Sequence, residues 1–181
     1  LYQPGDAAAV ERIRRDKPIL NLFLHSGLAI SPPLFQALGS AVRLLDLVRH
    51  PLHMIHVSWR TYIERYGTDV RDFTLWCDYQ GRAVPYFAHG WEDLYLRSNP
   101  MDRVIFSIER LLEMGRQAVE GLPGDQKAQV LVVPFERFVL DPWPYVERIE
   151  GWLGTRRTPL TRREMKRPRV PRARVPAMVD R

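Results

Sequence analysis

Cysteine is nearly missing from this chain: Cys77 is the only one in 181 residues. That excludes an intrachain disulfide and a Cys-based zinc site, and a reducing, cytoplasmic setting is the simpler expectation. No run approaches the ~18 apolar residues of a membrane span, and no signal peptide is visible. The first residue is Leu1 rather than Met, which suggests a piece of a longer protein. Acidic residues are scarce at one end only. From Thr155 to Arg181 there are ten Arg/Lys against two acids, Glu164 and Asp180, whereas the remaining body has 17 basic against 19 acidic residues. The net charge of +6 therefore belongs to the tail. That tail also holds Pro159, Pro168, Pro171 and Pro176, so a continuous helix is forbidden and an extended or partly disordered segment is expected.

What is present suffices for one sizeable core: 45% of the residues are hydrophobic, and a chain of this length defaults to a single domain. Asp6 reads as the N-cap of a short helix through Arg15, which Pro18 stops. A strand is expected over Ile19 to Leu24, and Pro32-Pro33 opens a helix ended by Gly39. Val42 to Val48 reads as a second strand and Leu52 to Tyr66 as a helix carrying Ile55, Trp59 and Ile63 on one stripe. Residues 69–79 suggest another helix, and 81–89 a loop. Pro100 to Glu120 is the longest amphipathic period, with Val104, Ile108, Leu111 and Leu112 on one face. A turn at 122–125, a strand over Val130 to Val133 and a final helix from Trp143 to Leu153 complete the series. Alternating strands and helices argue for an α/β fold with a parallel sheet.

The most informative stretch is Val42 to Trp59, VRLLDLVRHPLHMIHVSW. A buried strand closes at Arg49-His50-Pro51, and a helix carrying Ser58 follows. In open α/β sheets ligands bind beyond the carboxyl ends of strands. An arginine fork and a hydroxyl there suit a phosphate or sulfate better than an apolar ligand. His50, His53 and His56 recur every three residues, but each step drifts by about 60° on a helix. The outer two diverge, and no nearby carboxylate or Cys completes a tetrahedral metal set.

This arrangement resembles the PAPS-dependent sulfotransferases, whose 3'-phosphate signature is a strand ending in Arg-x-Pro with a serine about two helical turns on. Two more segments match. Ile19 to His25 is a strand ending in histidine 24 residues before Arg49, and VLVVPFERFVLDPWPYVERIEGWLG follows from Val130 to Gly154. In the latter, Phe135-Glu136, Asp141-Pro142 and Trp152-Leu153-Gly154 fall in the family's order and spacing. Three features differ from the family. No Gly/Ser/Thr-rich loop with Lys or Arg precedes Pro18, Ser58 lies nine residues after Arg49 where eight is usual, and Phe135 stands where tyrosine is common.

The resemblance implies a P-loop-NTPase-like sulfotransferase fold over residues 1–154, N-terminally incomplete, followed by a basic tail over 155–181. It implies transfer of a sulfuryl group from PAPS to a hydroxyl or amine, without a metal. His25 would be the base, since histidine ordinarily changes charge near neutral pH. Arg49 and Ser58 would hold the 3'-phosphate. Arg162-Arg163 or Lys166-Arg167 in the tail would close over it. The acceptor, a small molecule, glycan or peptide, would lie against residues 67–100. Without the 5'-phosphosulfate loop, weak or no turnover is expected of this chain alone. The residues leave alternatives open. Arg49 also fits a structural salt bridge to an acid such as Asp46 or Glu136, His25 a loop-holding side chain, and Glu136 a structural anchor. The tail also fits a solvated end, or a partner such as nucleic acid or an acidic glycan in a non-catalytic module of the same fold. A small-molecule kinase ranks last, because no metal-binding Asp directly follows a strand.

Overall fold

The computed structural model describes residues 5–16, 21–65, 67 and 69–166. Helix α1 spans Asp6–Asp16 and α2 spans Ser31–Leu38, the latter opened by two prolines that cannot serve an interior hydrogen bond but fit a first turn. Strand β1, Leu44–Val48, leads through Arg49 and His50 into α3, Pro51–Ser58, which continues as a π-helical stretch, Trp59–Arg65. Strands β2, Trp76–Tyr79, and β3, Arg82–Pro85, form an antiparallel hairpin. A short α4, Glu92–Arg97, precedes α5, Pro100–Gly121. Asn99 caps α5, its side chain accepting the Asp102 backbone N–H at 2.9 Å, with Pro100 at the first position. Then come α6, Gly124–Lys127, β4, Val130–Pro134, α7, Phe135–Leu140, α8, Trp143–Leu153, and α9, Pro159–Lys166.

The chain is thus α/β, with a two-stranded parallel sheet in which Leu44 pairs with Val130 and Val48 with Pro134. Leu131 and Val133 of β4 are buried, while Leu45 and Leu47 on β1 stay exposed. A second core forms where Val84, Ala88, Tyr95 and Val70 meet, between the hairpin and α4. Val104 and Ile108 turn the apolar face of α5 inward. No described helix is long and apolar enough to cross a membrane.

Several expectations need correction. Ile19 and Leu20 lie outside the described residues, and Asn21 to Leu24 is irregular rather than strand, with Phe23 88% exposed. Among the described residues β1 pairs with β4 alone, so this segment has no ladder to join. Residues 69–79 are not helical: a 3₁₀ turn at Val70–Asp72 leads into β2. Residues 81–89 are not simply loop, because Gln80 and Gly81, both at positive φ, close a two-residue hairpin turn and β3 follows. The predicted helix from Leu52 keeps α geometry only to Ser58, and Tyr66 lies outside the described residues. The tail is not uniformly extended, since α9 fits between Pro159 and Lys166; residues 167–181 lie outside the described part.

Candidate functional site

Arg49 leaves the carboxyl end of β1, and Phe135 leaves the same end of β4, because the two strands run parallel in register. The guanidinium carbon lies 4.2 Å from the Phe135 ring centroid. Stacking of this kind fixes the fork without using its N–H donors. Neither acid named from the sequence pairs with it. Asp46 lies inside β1, where burial pushes its carboxyl up. Glu136 is taken by other donors: one of its oxygens accepts the His50 backbone N–H at 2.9 Å and sits 3.1 Å from His53 Nδ1. Glu136 is therefore a structural anchor that ties the β1–α3 connection to the start of α7. His50 itself caps α3, its Nδ1 accepting the Leu52 N–H at 3.3 Å.

Ser58 is the last α-helical residue of α3, and the widening to π geometry begins only at Trp59. The extra residue between Arg49 and Ser58 is thus not absorbed, and the hydroxyl stands about 100° round the helix from the position eight residues on. The structure brings Arg49 to Phe135, while Ser58 stands at the end of α3 away from β1.

His25 opens a turn over residues 25–30 and is exposed, its ring edge-to-face with Phe23 at 5.5 Å. It lines a cavity of about 330 Å³ together with Thr61, Tyr62, Arg71, Phe73 and Thr74. Tyr62 and Phe73 pack at 5.0 Å. Arg71 pairs with Asp69 at 3.1 Å and lies over Trp76. Thr61 and Tyr62 project from the π stretch, a geometry often found where a helix is locally re-aimed at a site. His25 and Arg49 are not in contact: the cavity lies roughly 15 Å along α3 from its start. Residues 71–74, within the 67–100 span expected to border an acceptor, line the same cavity as His25. Tyr62 and Thr61 carry no local signal for this cavity beyond their aromatic and hydroxyl character one turn past Ser58.

Three of the tail residues named from the sequence, Arg162, Arg163 and Lys166, fall on α9. Arg162 lies over the Trp143 ring at 5.6 Å, and Arg163 pairs with Glu164 at 3.3 Å. Lys166 ends α9, and Arg167 lies outside the described residues. Among the described residues no group of three His, Cys, Asp or Glu side chains is arranged to hold a metal ion. No protein-family model, no curated protein and no solved structure matches the chain.

Proposed function

We propose that this chain is a sulfotransferase-like α/β domain, of P-loop-NTPase-like architecture, that binds a 3'-phosphoadenosine nucleotide and serves sulfuryl transfer from PAPS to a hydroxyl or amine. The observation that carries the reading is Arg49. It stands at the carboxyl end of a parallel strand, stacked on Phe135, with no carboxylate partner among the described residues. A guanidinium fixed by its face and open at its edge is suited to a bidentate phosphate.

In this reading the 3'-phosphate sits at Arg49, and the acceptor occupies the His25 cavity. An acceptor hydroxyl held there gives its proton to the His25 imidazole as its oxygen bonds to sulfur. The bond from sulfur to the bridging oxygen breaks, and 3',5'-ADP leaves with the electron pair. Tyr62 and Phe73 supply the cavity's aromatic walls, and Thr61 and Thr74 its hydroxyls. Holding acceptor and donor in line is the main contribution such a site makes.

The test is calorimetric titration of 3',5'-ADP and of 5'-AMP into the full chain and into Arg49→Ala. Loss of a charge-assisted phosphate contact is expected to weaken 3',5'-ADP about tenfold or more and to leave 5'-AMP unchanged. Equal binding of the two nucleotides to the unaltered chain would sink the reading and favour the non-catalytic module.

A further inference from the structure

Beside α4, Phe106 and Leu112 of α5 join Trp91 and Leu94 to wall a groove of about 500 Å³. The Trp91 and Phe106 rings stand edge-to-face at 6.2 Å. Trp91 Nε1–H already donates to the Phe87 carbonyl at 3.0 Å, so the indole's polar atom is satisfied and its ring serves as apolar wall.

Within this groove lies Arg110, whose Nε–H is buried and has no acceptor among the described residues. A buried donor left unpaired is costly, and a charged one more so, which makes such groups rare without a reason. Two acids line the same groove. Glu113 is engaged by Arg116 at 2.6 Å and by Gln117; it also feels the Arg110 charge, but accepts no hydrogen bond from Arg110 Nε. Glu109 is exposed beside it and sets a like charge against any second anionic group.

We propose that this groove is a binding site for a small monocarboxylic acid with an aromatic or branched apolar body. The body lies between Trp91, Phe106 and Leu112, and the carboxylate accepts from Arg110. The volume falls in the range of ordinary small-molecule sites, where apolar walls and one convergent polar group set orientation. The proposal is independent of the nucleotide reading, since none of these residues belongs to the β1 or β4 ends.

The experiment titrates 4-phenylbutyrate and its uncharged analogue 4-phenylbutanol into the full chain by calorimetry. The acid is expected to bind saturably and more tightly than the alcohol. Arg110→Met is expected to weaken the acid about tenfold or more and to leave the alcohol unchanged. Leu112 is 38% exposed, so Leu112→Glu tests the wall without endangering the fold; it is expected to weaken the acid more than the alcohol. Equal affinity for acid and alcohol, no response to Arg110→Met, or no saturable binding at millimolar acid would each overturn the proposal.

Discussion

Glu136 places one carboxylate oxygen between two donors that lie more than 80 residues away in the chain, the His50 backbone N–H and His53 Nδ1. Burial pushes its carboxyl up, but the His50 N–H, its own backbone N–H and His53 outweigh that and hold it below the ordinary carboxylate value. A carboxyl held low in the fold stabilises the native state at pH values above its unfolded pKa of ~4.3. That contribution disappears as pH falls through the folded value. Glu136→Gln keeps the shape and removes the charge. It is expected to cost about 1 kcal/mol in urea denaturation at pH 7, with the difference from the unaltered chain closing below about pH 4. A gap of the same size at both pH values would show that packing, not the charged acceptor, is what Glu136 supplies. The His50–Glu136 contact also bears on Arg49, since it fixes the backbone immediately after that residue.

At the scale of elements, the hairpin shows what local pattern could and could not reveal. Helices α2, α5 and α8 were legible because each carries a cap or proline signal and an apolar period of 3.6. Strands β1 and β4 were legible as short apolar runs. The β2–β3 hairpin was not, because Trp76-Cys77-Asp78-Tyr79 lacks alternation and Gln80-Gly81 is a weaker turn signal than Asn-Gly. Its turn rests on backbone conformation: Gln80 at φ 53° and Gly81 at φ 76°, with the Asp78 carboxylate accepting the Gly81 N–H at 3.2 Å. Gly81→Ala, which places a Cβ on a left-handed residue, is expected to cost about 1 kcal/mol and lower Tm by about 2–4 °C. Asn at the same position tolerates that conformation and is expected to recover part of the loss. If Ala melts with the unaltered chain, the turn is not held as described. The candidate site was legible in the same uneven way. Arg49 followed from a strand and a proline, whereas its platform Phe135, 86 residues later, and the meeting of His25 with Tyr62 are tertiary facts that no local period encodes.

At the scale of the whole molecule, the question is whether the basic end of the chain reaches the Arg49 end of the sheet. Helix α8 answers it through two contacts. Near its C-terminus, Trp152 Nε1–H donates to the Ala128 carbonyl just before β4 begins, at 3.0 Å. Its N-terminus must then lie toward the end where β4 finishes, since α8 packs along that strand. Arg157 pairs with Glu147 at 3.0 Å and with Glu150, which turns the chain back along α8. Arg162 is thereby set over Trp143, at the first turn of α8, toward the end of the sheet where β4 finishes. Arg163, one position on, is occupied by Glu164. If the nucleotide binds as proposed, the two arginines should differ. Arg162→Ala is expected to weaken 3',5'-ADP several-fold in the calorimetric titration, while Arg163→Ala changes it little. Added salt should narrow the gap between the unaltered chain and Arg162→Ala, because an exposed cation acting on a phosphate from the rim is screened. Equal losses for the two substitutions would mean the tail acts only through its bulk charge. No loss from either would separate α9 from the nucleotide altogether and leave Arg49 as the sole cation holding the 3'-phosphate.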